Sequence, residues 1–187
     1  MNWFPQNGNE NLIVLPDSSS NDYEQHKELM DRGYRILVLD HHEASKYSDN
    51  AIVINNQLSE HYENKCLSGV GVVYKFFQYI EEVEGWTDYS TKYLDLVAVG
   101  EISDVMLMTT LENRFICDYG LSHINNTFLK EIIKKQAYSI FGISTEQWRD
   151  IYYTNGQLTQ INIAFYITPL INALIRVGNS LEKERLF

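Results

Sequence analysis

Three short apolar runs near the start of the chain constrain the fold more than any other feature of the sequence. Residues 12–15, 36–39 and 51–54 are continuously apolar, and a polar or turn-forming residue closes each run. Between the first two runs, residues 22–32 follow serines that can cap a helix and precede Gly33, a favoured residue type just after a helix. Continuously apolar strands that alternate with helices indicate a parallel sheet with flanking helices on both faces. The sequence therefore predicts an α/β fold.

The rest of the chain has mainly helical periodicity. Further helical segments are predicted at residues 69–84, 91–104, 110–121 and 127–137. Residues 159–176 are apolar, and Pro169 within them predicts a broken or kinked helix. We expect an α/β core over residues 1–105 and a mainly helical continuation of the same domain over residues 106–187.

Side chains with metal-binding chemistry follow the predicted strands. Asp17 closes the first strand, Asp40, His41 and His42 close the second, and Asp104 ends a later apolar stretch. In open parallel sheets, ligands bind outside the carboxyl ends of the strands. Carboxylate and imidazole ligands suit Mn²⁺, Zn²⁺ or Fe²⁺, and the excess of carboxylates favours Mn²⁺ or Mg²⁺. Each residue alone has an ordinary explanation as a turn, cap or solvated residue, but together they predict one metal site. A carboxylate that bridges two such ions would hold them about 4 Å apart, which suits in-line displacement at phosphorus.

Charge and cysteine content limit the partners and the location. The chain has 25 acidic and 15 basic residues and a net charge of −10, whereas proteins that contact many phosphates usually have a basic face. A nucleic-acid partner would therefore have to be held locally, or by a basic surface outside this sequence. Two isolated cysteines fit reduced thiols better than a disulfide. Neither a membrane span nor a signal peptide is recognisable, so we expect a cytoplasmic protein with no membrane partner.

Five stretches of the sequence resemble motifs of the DHH phosphoesterases. Within that family they are similar to the RecJ-type single-strand exonucleases, especially those of phage and prophage genomes. In chain order, the stretches are residues 12–17 (LIVLPD), 38–43 (VLDHHE), 67–75 (LSGVGVVYK), 94–105 (LDLVAVGEISDV) followed by 112–114 (ENR), and 169–173 (PLINA) with Arg176. The triplet Asp40-His41-His42 matches the one that names the family. The resemblance extends over nearly the whole chain.

The resemblance implies roles for individual residues. Asp17 would bridge two metal ions, and His41 and Asp104 would ligate one of them. His42 would contact the substrate phosphate, and Asp40 would orient the histidines.

The resemblance also implies substrate-binding groups, which are His42, Ser68, Gly69, Gly71, Asn172 and Arg176. The guanidinium of Arg176 matches phosphate oxygens bidentately. The helix start at Ser68 could receive a phosphate through its backbone N–H groups, or its glycines could instead allow close packing of helix on sheet.

The sequence departs from the family pattern in three places. Residues 1–16 contain neither aspartate nor histidine, so the aspartate-rich first motif is absent. No Gly-Gly pair occurs, so the Gly-Gly-Gly-His motif of the usual second domain is absent too. Ile175 stands where RecJ-type proteins usually have glycine before the arginine. We therefore expect an incomplete two-metal site in a segment of a longer enzyme, whose N-terminal and C-terminal parts are missing partners.

The resemblance, with these departures, implies a metal-dependent phosphoesterase, a 5′→3′ single-stranded DNA exonuclease with an incomplete core and little activity alone. Two alternatives remain open. The same chemistry could act on short oligonucleotides, cyclic dinucleotides or pyrophosphate, or the chain could be an inactive DHH module that binds a partner. Three other histidines are expected to have no functional role, and His26 in particular is expected to be solvated on a polar helix.

Overall fold

A computed structural model describes residues 11–145, 147 and 158–184 of the chain. The chain divides into two compact units between Phe76 and Phe77. The described part of the first unit contains a parallel sheet, and that of the second is helical. The predicted fold class, a parallel sheet with flanking helices followed by a mainly helical region, is confirmed. The predicted boundary after residue 105 remains a prediction.

Among the described residues of the first unit, three parallel strands form a sheet in the order β1-β2-β3. Strand β1 spans Asn11–Pro16, β2 spans Tyr34–Asp40 and β3 spans Ile52–Asn55, which confirms the three predicted strands. Asp40 pairs with Asn55 in the register of β2 and β3. The carboxyl ends of these two strands therefore lie side by side.

The burial of the strands differs from the prediction at the edges of the sheet. The central strand β2 is buried continuously from Ile36 to Asp40. In contrast, β1 alternates between half-buried and exposed residues, with Leu12 and Val14 exposed, and β3 exposes Ile52. The expectation that both faces are covered is therefore correct for β2 and wrong for the described surfaces of β1 and β3. Successive side chains of a strand point to opposite faces of the sheet, so the alternation in β1 means that one of its faces is less covered than the other.

Helix α1 spans Tyr23–Asp31, as predicted, but the expectation that His26 is solvated is wrong. The imidazole is fully buried, and its Nδ1 lies 3.0 Å from Ser48 Oγ in the loop after β2. Burial lowers the pKa of His26, against the opposing effect of the Asp22 charge. A polar helix can bury one histidine when a loop distant in sequence supplies its hydrogen-bond partner.

Helix α2 spans Gly69–Glu84, as predicted, and the division between the two units falls within it. A 3₁₀ turn at Ser90–Tyr93 follows. The remaining described helices are α3 (Leu94–Ser103), α4 (Leu111–Ser122), α5 (Thr127–Lys135), α6 (Ala137–Phe141), α7 (Gln160–Asn162), α8 (Thr168–Val177) and α9 (Ser180–Glu184). The helices predicted within the described residues are present, except that the segment predicted at 127–137 divides at Gln136 into α5 and the start of α6. The prediction for 91–104 merged the 3₁₀ turn with α3.

The core of the second unit depends on a close approach of α3 and α4. A Cβ atom at Gly120 would lie 2.3 Å from the carbonyl oxygen of Leu94 and 2.7 Å from Cβ of Ala98. Only glycine lets the helices pack at this distance. Cys117, one helical turn away, is fully buried in the same core. Burial, assisted by the charges of two nearby carboxylates, raises the pKa of its thiol to about 12.

The predicted interruption of the helix near Pro169 takes the form of a π-helical turn at Ile163–Ile167. Pro169 lies in the first turn of α8, directly after the π-helical turn, and it has no N–H group to donate to the preceding turn. By length and composition alone, Gln160–Val177 could cross a membrane, and 17% of it is buried. One such helix is weak evidence, because core helices of soluble proteins also meet this criterion. The absence of a membrane partner stays a prediction.

Candidate metal centre

Asp17 has an unusual backbone conformation directly after β1. Its φ is 56°, in the left-handed region that few residues other than glycine, asparagine and aspartate adopt. Its N–H group donates to the carbonyl oxygen of Leu39 at 2.8 Å, which fixes the turn against the end of β2. The carboxylate remains 62% exposed. The sheet thus holds the backbone of Asp17 while its side chain stays open to ligands.

Asp40 is the buried anchor of the triplet. It is 1% exposed and accepts hydrogen bonds from the backbone N–H groups of Ser20 at 3.1 Å and His41 at 2.8 Å. Its Oδ1 also lies 2.7 Å from Nδ1 of His42. Burial by itself raises the pKa of Asp40, but hydrogen bonds from Ser20, His42 and the His41 backbone outweigh burial and hold the pKa at about 2. Asp40 is therefore ionised at neutral pH.

An ionised Asp40 determines the orientation of His42. A carboxylate only accepts hydrogen bonds, so Nδ1 of His42 is the donor and Nε2 points away from Asp40. A carboxylate behind a histidine is the usual way in which proteins fix a ligating or substrate-contacting imidazole. This position agrees with the orienting role that the resemblance implies for Asp40.

Asp17, His41 and His42 come together in the first unit. Each offers one ligand atom, and these atoms all lie within 4.8 Å of one another. Nε2 of His41 lies 3.3 Å from Oδ1 of Asp17, and the two imidazole rings are 4.5 Å apart. One carboxylate and two imidazoles are a donor set that fits Mn²⁺, Fe²⁺ or Zn²⁺. The three side chains could therefore hold one divalent ion, or Asp17 and His41 could hold it while Nε2 of His42 makes the contact with phosphate that the resemblance implies.

Two residues that the sequence did not single out as site residues support this cluster. The side chain of Asn55 donates from Nδ2 to the carbonyl oxygen of His42 at 2.9 Å and to Ser20 Oγ at 2.8 Å. Asn55 lies at the end of β3, which is a recognisable signal. Ser20 is one of three consecutive serines, and the sequence gives no reason to prefer it over the others.

The start of α2 also contacts the cluster. Gly69 packs so closely on Asp17 that a Cβ atom would lie 2.1 Å from the carboxylate oxygen. Ser68 is buried, and its Oγ accepts from the N–H group of Gly71 at 3.4 Å, so it caps the helix. The geometry supports close packing as the role of Gly69. The substrate-binding roles of Ser68, Gly69 and Gly71 remain predictions.

The other predicted site residues lie in the second unit. Asp104 is exposed just after α3, and Asn172 and Arg176 are exposed on α8. Their roles as metal ligand and substrate contacts remain predictions. Sequence reasoning assigned no role to Glu101, a fully buried carboxylate whose Oε2 lies 3.5 Å from Nδ2 of Asn113.

Known proteins match nearly the whole chain. Residues 1–101 match the family described as DHH family, N-terminal domain. The chain is 41% identical over 175 residues to a Bacillus subtilis protein whose name describes an SPbeta prophage-derived single-strand DNA-specific exonuclease, YorK. It is 27% identical over 175 residues to the single-stranded-DNA-specific exonuclease RecJ of Thermus thermophilus. These matches cover 94% of the chain but only 28% of YorK and 24% of RecJ.

Solved structures give the same relationship. The chain superimposes on an exonuclease RecJ bound to manganese with a TM-score of 0.68 and 27% identity, over 94% of this chain and 40% of that one. For RecJ from Thermus thermophilus in complex with Mn²⁺, the TM-score is 0.72 at 26% identity, over 94% of this chain and 24% of that one.

Proposed function

Because this chain belongs to the DHH family, we propose that it carries catalytic residues of a metal-dependent phosphodiesterase that degrades single-stranded DNA. The observation that carries this proposal is the convergence of Asp17, His41 and His42 beside the ionised, buried Asp40. The exonuclease names of YorK and RecJ and the Mn²⁺ bound in two RecJ structures support the substrate and the metal. A 5′→3′ direction and a preference for Mn²⁺ over Mg²⁺ are the finer parts of the proposal.

The chain's own residues have separable tasks in this chemistry. When bound, a divalent ion in such a site polarises a phosphate oxygen and makes a water molecule more acidic. Asp17 and His41 would hold the ion, with the backbone of Asp17 fixed by Leu39. Asp40 orients His42 through Nδ1, which leaves Nε2 of His42 to face the phosphate. Asn55 holds the loop that carries His42.

The proposed activity belongs to a protein that this chain matches only in part. Since the chain spans 28% of YorK, association with N-terminal and C-terminal parts of the same enzyme belongs to this proposal. The proposal also includes the second unit, in which Asp104 would be a metal ligand and Asn172 and Arg176 would contact the substrate. A cytoplasmic location, expected from the sequence, completes it.

The proposal is tested by metal binding and cleavage. We expect the chain to bind Mn²⁺ at one site in calorimetry. Asp17→Asn removes the negative charge of one ligand and His41→Ala removes a ligand, so each should weaken that binding at least about tenfold. His61→Ala is a matched control, since His61 is exposed in a loop outside the cluster.

Cleavage of 5′-labelled single-stranded DNA in Mn²⁺ by this chain alone is expected to be weak. Cleavage that persists after alanine replaces Asp40, His41 and His42 would contradict the site. Metal binding without any cleavage would favour the inactive binding module.

A further inference from the structure

A cleft next to the metal cluster has no role in the mechanism above. It has a volume of about 270 Å³ and lies between the carboxyl end of β3, the loop that follows it and the first turns of α2. Pockets for drug-sized ligands typically measure about 300–1,000 Å³, so this cleft suits a smaller group. Asn55 belongs to both places, because it lines the cleft and its amide donates to the His42 carbonyl oxygen.

The walls of the cleft combine aromatic, apolar and basic groups. Leu67 and Val72 are buried and form an apolar floor, and Tyr47 and Tyr62 contribute two aromatic rings. Lys75 adds a positive charge. None of the described lining residues is acidic, although acidic residues outnumber basic ones by 25 to 15 in the chain. A flat aromatic group attached to a phosphate fits this combination.

Asn56 supplies an independent indication of a polar ligand. Its side chain is only 4% exposed and lines the cleft. Its Nδ2 donates to the carbonyl oxygens of Asn64 at 3.2 Å and Leu67 at 3.4 Å, which fixes the orientation of the amide. The Oδ1 atom is buried and has no hydrogen-bond partner among the described residues. A buried acceptor without a partner is unfavourable, and an N–H group at the base of the cleft would satisfy it.

The loop that forms one wall is held in place before any ligand arrives. Nζ of Lys65 donates to the carbonyl oxygen of Asn56 at 2.7 Å and to that of Ser59. The amide of Gln57 donates to the carbonyl oxygen of Lys65 at 2.8 Å. A preformed wall lowers the entropic cost of binding. Lys65 also places a second positive charge beside the cleft.

We propose that this cleft binds one nucleobase of a single-stranded substrate whose phosphate is held at the neighbouring cluster. The base stacks on Tyr47 or Tyr62, one of its N–H groups faces Asn56 Oδ1, and Lys75 contacts a flanking phosphate. Every base has a face for stacking and at least one N–H donor, so the cleft accepts all four bases. The inference rests on the proposed function, because that function supplies the nucleic acid.

The test is base-dependent binding without cleavage. The chain in EDTA is titrated with a pentanucleotide that carries 2-aminopurine at its centre, and quenching of the fluorescence reports stacking. Unlabelled strands are then added to displace the fluorescent strand. Pentathymidylate is expected to do so at a concentration at least about fivefold lower than an abasic strand of the same length and charge, because stacking contributes a large part of the binding of each base. Equal competition by the two strands, or no quenching, would overturn the inference.

Two variants with matched controls assign the binding to the cleft. Tyr47→Leu should remove most of the preference over the abasic strand, whereas Tyr138→Leu should leave it unchanged; these tyrosines are 50% and 78% exposed, so both variants should fold. Lys75→Met should weaken the binding of pentathymidylate and of the abasic strand by the same factor, because it removes a phosphate contact. Lys27→Met should leave the binding of both strands unchanged. An unaltered preference in Tyr47→Leu and Tyr62→Leu, with unchanged circular dichroism, would contradict the assignment. Mn²⁺-dependent cleavage is measured separately. Base binding without cleavage would contradict the proposed function and leave this inference standing. Cleavage without a base preference would contradict this inference and leave the proposed function standing.

Discussion

At the scale of single residues, Asp40 combines burial with ionisation. It is almost inaccessible to solvent, yet its pKa lies at about 2 because Ser20, His41 and His42 all donate to it. A charge in this position is stable only as long as its donors stay in place. Any change that moves the loop after β2 therefore affects the charge of Asp40 together with the orientation of His42.

The pKa of Asp40 predicts how stability depends on pH. The group's ordinary pKa of 3.8 is lowered to about 2 in the folded protein, so the unfolded chain binds more protons between these values. The stabilisation is complete above about pH 4 and is lost as pH falls through about 2, and it amounts to about 2 kcal/mol. We expect urea unfolding of the metal-free protein to show this loss and Asp40→Asn to lack it. Asp49→Asn, at an exposed aspartate, should follow the wild type. A parallel pH dependence in wild type and Asp40→Asn would show that Asp40 does not carry the effect.

Sequence reasoning identified the residues with distinctive chemistry and missed those whose role depends on tertiary contacts. Asp17, His41 and His42 stand at strand ends, where the chemistry of parallel sheets predicts ligands, and they lie together. Ser20 could not be found in this way, because a serine becomes important here only through the hydrogen bonds of Asp40 and Asn55. His26 misled the prediction for the same reason, since Ser48 is 22 residues away.

At the scale of elements, the contact of α3 with α4 depends on the absence of a side chain. Gly120 brings the backbone of α4 against Leu94 and Ala98. Alanine is intrinsically about 1 kcal/mol better than glycine within a helix. At this position the preference should be reversed, because the added methyl group would overlap a backbone oxygen that cannot move alone.

Gly120→Ala is therefore expected to destabilise the protein by about 1–3 kcal/mol, the usual range for overpacking. Asp118→Ala, at an exposed position on the same helix, should change stability by no more than about 0.5 kcal/mol. The measurement is the free energy of unfolding in urea. A stabilising Gly120→Ala substitution would mean that the two helices can separate at little cost.

Element positions were largely predictable, whereas element junctions were not. The strands and α2 follow from apolar periodicity and from turn residues such as Gly33. Pro169 predicted an interruption, but nothing in the local sequence distinguishes a π-helical turn from a kink or a break. The choice depends on how Ile163 and Ile167 reach the core, where both are fully buried.

At the scale of the whole molecule, the net charge of the chain opposes binding of the proposed substrate. The chain carries a net charge of −10, and DNA is a polyanion. A negatively charged chain can still bind DNA if it contacts only a few phosphates, each through a nearby positive charge. Lys75 lines the cleft next to the metal cluster, and Lys65 lies beside it, so both can supply positive charge near the proposed base.

The affinity for single-stranded DNA should therefore depend weakly on salt. Two phosphate contacts give a slope of about −1.4 for log affinity against log salt concentration, at about 0.7 per phosphate in a single strand. Lys75→Met should reduce the magnitude of the slope by about 0.7, and Lys27→Met should not. Fluorescence titration in EDTA at several salt concentrations measures the slope. A slope steeper than about −4 would indicate an extended basic track instead.

The backbone of Asp17 has a consequence for protein engineering. A residue in the left-handed region must be short and polar, or glycine, to avoid steric strain. Asparagine is therefore the only replacement that keeps both the backbone and an oxygen ligand, and it removes one negative charge. Glutamate, the usual conservative choice, would displace its carboxylate and strain the turn that Leu39 fixes. The position thus offers a designer a single step for adjusting the charge of the metal site without changing its shape.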